Sequence, residues 1–413
     1  MRRRDSRAPS LTALVIVTGV GPLALDTYLP ALPSMQRSLH STASVVQLTV
    51  TAYIIGLAVG QLLAGPVSDA TGRRGILLAS TGCFLIASLG CALAPNAPVM
   101  VAIRLVNGIA AGAGVSVGRA LVSDHYRGDE AARRFGTISS INFVGPVIAP
   151  ALGSAILQVG DWRTIFFALT GLGAAMILAV VLGLPETLPP GERQHGGMHS
   201  LLTRTTDLLA DRAFLRHAVV QCLATMGFFT YIGGSTFVLQ SVYGISQSTY
   251  AAVFTVNAAA MVVTSVLFRA TVSRWGAERL RRAGVLLSTS SSLALLVVAV
   301  AGHTRLPSLA WPWILLGLVT AGMGLIIPAS VTLAQRAGAR SRGTASALQG
   351  GSSFLAGALV TPLTGLLGYR TLLPMAAVMA AFMALTVLFM ALTRRPSWLT
   401  ERDAPVEVMA ART

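Results

Sequence analysis

Twelve stretches of about twenty mostly apolar residues follow one another along the chain with short polar gaps between them, and that pattern leaves few folds open. They cover roughly 11–33, 44–66, 75–95, 98–122, 135–158, 164–184, 216–239, 249–270, 283–301, 309–333, 344–367 and 371–393. A helix rises about 1.5 Å per residue, so each run is long enough to cross the hydrocarbon core of a bilayer. Charge agrees. Only 11 % of the 413 residues are charged and 54 % are hydrophobic, against about 25 % charged in a soluble domain. A water-facing surface cannot be made from so few charges. The expected fold class is therefore an all-α membrane protein with twelve transmembrane helices.

The charges that remain are patterned. The chain has 31 basic residues and no lysine, so all are arginine, and its net charge is +16. A basic chain raises the question of nucleic acid, but these arginines sit in short loops rather than along one face, so no nucleic-acid partner is expected. With the N-terminus placed in the cytoplasm, 26 arginines fall on the inward segments and four, Arg37, Arg163, Arg305 and Arg370, on outward loops. The positive-inside rule produces this asymmetry, and a miscounted helix would scramble it. Both termini are expected to be cytoplasmic. Met1 to Ser10, with Arg2, Arg3, Arg4 and Arg7, superficially resembles a leader, but the apolar run behind it is long enough to span and reads as the first helix. All-arginine usage with abundant Ala, Gly and Val suggests a GC-rich bacterial genome. The expected location is the bacterial inner membrane, crossed many times.

The longest internal polar segment, about 185–215, divides the spans into two sets of six. The reading gives an N-terminal bundle over 1–184, a cytoplasmic linker over 185–215, a C-terminal bundle over 216–393 and a cytoplasmic tail over 394–413. A trace of duplication supports two halves. Gly72 in the turn after the second span and Gly276 in the turn after the eighth occupy the same place in a short basic turn, although the second turn lacks the acid that Asp69 supplies to the first. Cys83, Cys91 and Cys222 lie in apolar runs without ligand-like spacing, and the six histidines likewise give no metal site.

Asp26 is the only acid well inside a span, where it costs about 2.5–3.5 kcal/mol on insertion scales. Pro30, four residues on, loosens the helix just beyond it. Arg104 is the matching cation in the fourth span. Counted from the outer helix ends, the two lie at similar depth, which predicts that they face one cavity and interact directly or through water. Burial and a nearby cation act on a carboxyl in opposite senses, so an acid balanced between them could exchange a proton as the cavity opens to either side. The alternatives are that Asp26 is solvated in the outer interface and that Arg104 snorkels to the surface.

Two motifs carry a resemblance. Gly65-Pro-Val-Ser-Asp69-Ala-Thr-Gly72-Arg73-Arg74 resembles the loop between helices 2 and 3 of the major facilitator superfamily, and Leu25-Asp26-Thr-Tyr-Leu-Pro-Ala-Leu-Pro33 is similar to the helix-1 motif of its drug:proton antiporters. More narrowly, this second motif, Pro185-Glu-Thr-Leu-Pro-Pro and Gly343-Thr-Ala-Ser-Ala-Leu resemble the Bcr/CflA branch, the bicyclomycin and chloramphenicol resistance exporters. The resemblance implies two six-helix bundles in the major facilitator fold. It implies a secondary active transporter, not an enzyme, that exports small lipophilic drugs or antibiotics through a multidrug antiport cycle. The partners implied are the drug, protons and the bilayer, with no cofactor beyond the proton gradient, and the chain is expected to act as a monomer. It further implies that Gly65, Asp69, Gly72, Arg73, Arg74 and Asp124 form a cytoplasmic gate, with Asp69 also able to meet the positive N-terminal end of helix 11. Arg104-Leu-Val-Asn107-Gly108 fits the helix-4 motif of proton-linked members, where Asn107 often is Gln. The helix-5 antiporter motif Gly-Pro-x-x-Gly-Gly is altered here to Ala149-Pro150-Ala-Leu-Gly153-Ser154, with Gly145-Pro146 one turn earlier.

In that fold helices 1, 4, 7 and 10 surround the cavity, which makes Asp26, Tyr28, Arg104, Asn107, Thr225, Phe229 and Tyr231 candidate lining residues. The aromatics could stack on a lipophilic drug or simply pack helices. Helix 10 has few polar groups, which disfavours a sugar, since an unpaired buried polar group costs about 1–3 kcal/mol. Two rivals stand beside export: a coupled importer or exporter of a metabolite on the same fold, and, more remotely, a polytopic membrane enzyme. The enzyme would need a cluster of acids, histidines or cysteines at the membrane face, and Asp124-His125 is the only close pair of that kind.

Overall fold

The computed structural model describes residues 8–126, 128–188, 193, 206, 208–302, 308–337, 342–368 and 370–393; the side chains of 128–129, 131–133, 135–136, 138–143, 336 and 342–347 are outside the description. Most of the sequence-derived linker over 185–215, and all of the tail over 394–413, therefore lie outside the described residues.

Twelve long helices run through the described residues; eleven are long and apolar enough to cross a membrane, and in the fifth the apolar part is the shorter Val144–Val159. The twelve are α1 (Leu11–Ser38, broken), α2 (Ala43–Thr71), α3 (Arg73–Ala92), α4 (Ala97–His125), α5 (Gly128–Val159), α6 (Trp162–Gly183), α7 (Arg212–Val242), α8 (Gln247–Trp275), α9 (Ala277–Ala301), α10 (Ala310–Ala337), α11 (Arg342–Val360, continued by Leu363–Leu367) and α12 (Leu373–Leu392). Many extend past the apolar runs, because a helix continues into its polar ends once its backbone bonds propagate. The starts are written locally. Thr42, Asn96, Asp161, Asp211 and Ser246 each precede an apolar run, and each accepts a backbone N–H of the first turn, which satisfies an otherwise orphaned donor. α3 and α9 instead start at Gly72 (φ 108°) and Gly276 (φ 77°), a conformation that disfavours a Cβ. The same glycine turn thus recurs in both halves, as the sequence suggested.

α1 is broken twice. Its regular helix stops at Thr18 and again at Asp26; Leu29–Ala31 is a 3₁₀ turn, and Leu32–Ser38 resumes the helix. Pro22, Pro30 and Pro33 lack the N–H that a continuous helix would use.

α2 and α4 pack most tightly. A Cβ at Gly56 would meet Leu105 O, at Gly60 Ile109 O, at Gly108 Tyr53 O and at Gly112 Leu57 O, all closer than atoms can approach. Two G-x-x-x-G steps, one per helix, let the backbones touch. The largest apolar cluster joins both halves, running from Leu29, Leu32 and Val46 to Phe237, Val238 and Met375. Towards the arginine-rich end the core divides. Leu14, Leu77, Leu121 and Leu184 form one cluster in the first half; Phe214 with Ala334, and Phe268 with Leu280, form two in the second. Around the outside, Ile86, Leu182, Val297 and Leu392 are exposed, the surface expected against lipid.

Candidate functional site

Away from the arginine-rich end the two halves are sealed by neutral hydrogen bonds. Gln47 Nε2 donates to Gly233 O at 2.8 Å and to Thr364 Oγ1 at 3.1 Å. Thr51 Oγ1 donates to Ala358 O at 3.0 Å, and Thr255 Oγ1 to Val147 O at 2.9 Å. Ser154 Oγ bonds Ser248 Oγ at 3.3 Å. The broken part of α1 is held from α7: Thr236 Oγ1 donates to Leu29 O at 2.9 Å, and Gln240 Nε2 to Pro30 O at 3.0 Å. Gln240 lies in a π-helical turn, Val238–Val242, a local irregularity common at functional sites. At the arginine-rich end the described ion pairs each stay within one half.

Asp26 ends the regular part of α1 just inside this seal. It is only 4 % exposed and has no hydrogen-bond or ion-pair partner among the described residues. Tyr53 and, across the seam, Tyr231 and Tyr250 are within its electrostatic reach. A lone carboxylate in such surroundings is costly, and a proton removes that cost.

Arg104 reaches α1 beside Asp26, at the Ala24 carbonyl. Its guanidinium is fully buried, 4.0 Å from the Tyr53 ring centre and 4.5 Å from that of Tyr28. Nη2 donates to Ala24 O at 3.2 Å, two residues before Asp26, and Nη1 to Asn107 Oδ1 at 2.9 Å. The expected direct pairing of Asp26 with Arg104 is therefore not formed. Two aromatic faces and a helix-1 carbonyl occupy the cation instead. Each buried cation–π contact is worth about 2 kcal/mol, which helps to explain an arginine held without a counter-ion.

The other expected lining residues divide. Tyr28 is buried against Phe166 and bonded to Thr49 Oγ1 at 3.3 Å. Asn107 turns to α3, donating to Phe84 O and Ser88 Oγ. Both therefore stand, with Arg104, inside the first bundle rather than facing the second half. In the second half Thr225 is buried, and Phe229 packs edge-on against Phe354. Tyr231 stacks on Phe254 at 5.5 Å and accepts from Asn257 Nδ2 at 3.3 Å. Gln47, Thr51, Thr236, Gln240 and Tyr250 were missed by the sequence reading. Their only signal is polarity in apolar spans, which many buried threonines share.

The basic turn forms the expected charge cluster. Arg73 Nη2 pairs with Asp69 at 2.6 Å, Nε with Asp124 Oδ2 at 3.0 Å, and Nη1 donates to Ser68 Oγ at 2.6 Å. Arg74 Nη2 donates to Val181 O at 3.1 Å. Gly65 lies within α2, where a Cβ would only touch Ser116. All these contacts stay within the first half, so the turn does not join the halves in this conformation. Glu186 adds an unexpected part. Its carboxylate accepts the backbone N–H of Arg73 at 2.9 Å and of Arg74 at 3.2 Å, capping α3 from the chain that follows α6. Gly72 leaves room for it; a Cβ there would lie 2.7 Å from Glu186 Oε2. Glu186→Ala should lower stability by about 1–2 kcal/mol, the usual worth of a charged cap, read as a reduced melting temperature in detergent; an unchanged melt would remove that role.

α5 packs on the broken helix. A Cβ on Gly153 would strike Thr27 O, and one on Gly145 would lie 2.8 Å from Pro22. Pro146 and Pro150 lie inside the helix. The substituted Ser154 supplies one of the seam bonds.

Comparison with known proteins decides the family. The model of the Major Facilitator Superfamily matches residues 14–361. The chain belongs to the major facilitator superfamily. It is 36 % identical to the uncharacterized MFS-type transporter YdgK of Bacillus subtilis, over 87 % of this chain and 89 % of that one. It is 32 % identical to a chloramphenicol resistance protein of Pseudomonas aeruginosa, over 67 % and 66 %. In fold it is similar to the human organic anion transporter MFSD10, with a TM-score of 0.69 and 19 % identity, covering 93 % of this chain and 98 % of the other. The two-bundle membrane architecture expected from the sequence is that of this superfamily.

Proposed function

We propose that this superfamily member exports small lipophilic drugs across the bacterial inner membrane by proton-coupled antiport, as in the Bcr/CflA branch. The observation that carries the reading is Asp26: an acid without a partner among the described residues, buried beside the seam between the halves, at the point where α1 unwinds. The similarity to a chloramphenicol resistance protein supports a drug as cargo, with chloramphenicol-like or bicyclomycin-like compounds the first to try.

The residues take distinct parts. Asp26 loads a proton on one side and releases it on the other. With the seal open, the carboxyl loads a proton from outside, and the seal closes over the neutral acid, so that no charge is buried. Opening at the arginine-rich end lets water reach the acid from the cytoplasm, the proton leaves inward, and the drug is taken up in its place. Arg104 is a positioning residue. It grips the Ala24 carbonyl and so fixes the backbone that presents Asp26. Thr225, Phe229 and Tyr231 offer a hydroxyl and aromatic faces to the drug from α7. The arginine-rich end is cytoplasmic, with the Arg73 cluster latching the halves when the other end opens. No bound cofactor is needed, because the proton gradient drives the cycle.

A susceptible bacterial host carrying the chain tests this. Across an antibiotic panel, the host should gain tolerance to lipophilic compounds and keep less drug inside, and a proton uncoupler should abolish both effects. Drug accumulation above that of the empty host would favour the importer. Export indifferent to the uncoupler would remove the coupling.

A further inference from the structure

The second half repeats the glycine turn of the first without its acids, and that deficit has a structural consequence. In the first half Arg73 meets Asp69, Asp124 and Ser68, and Glu186 covers the amides. In the second half, the start of α7 and the start of α9 meet around Arg281, which is 0 % exposed. Its Nη2 bonds Glu278 Oε2 at 2.6 Å, and Arg282 Nε takes the other oxygen of that carboxylate at 3.3 Å. Its Nη1 meets His217 Nδ1 at 2.9 Å. An arginine can only donate, so this nitrogen is the acceptor and the ring proton sits on Nε2 as one more donor. Arg281 Nε is buried and bare.

Arg216 makes the imbalance larger. It is within electrostatic reach of Arg281 and His217, its Nε is buried and bare, and it has no hydrogen bond or ion pair among the described residues. The nearby Asp211 has Oδ1 engaged by the backbone N–H groups of Ala213 and Phe214. Among the described residues, Arg281 and Arg282 thus share the carboxylate of Glu278, and the half-buried Arg216 beside them has no acceptor; a guanidinium held in such a corner without one is costly.

We propose that this corner binds a phosphate anion, and that a membrane phospholipid headgroup supplies it. Guanidinium forks match phosphate oxygens in geometry and charge. The neighbours select a lipid over a free ion: Leu215, Trp275 and Leu286, on α7, α8 and α9, are exposed by 39 %, 56 % and 61 %. They give acyl chains apolar surface near the place where the headgroup is held. The site lies apart from Asp26 and does not depend on what the transporter carries.

Native mass spectrometry of the full chain, stripped of lipid in detergent and then given phosphatidylglycerol or phosphatidylcholine of the same chain length, tests the site. Phosphatidylglycerol should be retained about tenfold more strongly, the scale of one charge-assisted contact. Arg216→Gln breaks no bond among the described residues, so it should fold normally and lose that preference; Arg281→Gln should lose it as well. Phosphatidylglycerol should also raise the melting temperature of the natural chain but not of Arg216→Gln. Equal retention of the two lipids, or a preference unchanged in a folded Arg216→Gln, overturns the site. Displacement of the lipid by millimolar inorganic phosphate overturns the assignment to lipid.

Discussion

Asp26→Asn should reduce proton-driven export to the level of empty membranes while leaving the protein folded and inserted. Asparagine keeps the shape of the protonated acid, so the closed seam of the present structure is preserved. What is lost is the ability to become charged, and with it any reason for the carrier to release a proton on one side only. In everted vesicles the variant should show no drug-induced proton movement under an imposed gradient. Exchange of labelled for unlabelled drug, which needs no net proton transfer, should continue. Asp26→Glu should keep part of the coupling. Gradient-driven drug transport at the natural rate in Asp26→Asn would end the proposal, whatever the cargo proves to be.

The second large effect is structural. Gly108→Leu should prevent stable assembly of the first bundle, costing about 3 kcal/mol or more. A first side-chain carbon there already overlaps the carbonyl oxygen of Tyr53 and lies 3.0 Å from Leu57 N, and neither backbone can move without parting α2 from α4. Gly82 in α3 is the control, because a Cβ there meets nothing within 4 Å. Gly82→Ala should be neutral, or stabilise by up to about 1 kcal/mol through helix propensity. Melting temperatures in one detergent compare them, and a Gly108→Leu protein that melts with the natural chain would show that α2 and α4 are not held this way.

The architecture was legible because lipid leaves a coarse signature. Apolar length and arginine position do not depend on how helices rotate about their axes. The site was legible only in part, because rotation decides it. Depth along α1 and α4 put Asp26 and Arg104 level; what the sequence could not give is that the rings of Tyr28, Tyr53 and Phe166 surround the cation. Asn107 was a candidate lining residue through the helix-4 resemblance, and its amide bonds Phe84 O and Ser88. The paired glycines of α2 and α4 were not singled out in the sequence, because a G-x-x-x-G spacing among so many glycines does not say which helices touch. Glu186 was visible only as part of a motif, since its role as a cap requires the chain after α6 to return to the start of α3.

The broken stretch of α1 presents its main-chain oxygens to α7. Of the seam bonds described above, five end on backbone carbonyls, those of Gly233, Ala358, Leu29, Pro30 and Val147. No substitution deletes such an acceptor, so side chains along this stretch can diverge, and cargo preference with them, while the closure keeps its partners. Each link is uncharged and worth roughly 1 kcal/mol, and water can replace it one link at a time. Separation at that end should therefore be indifferent to dissolved salt, whereas the ionic turn at the other end should feel it.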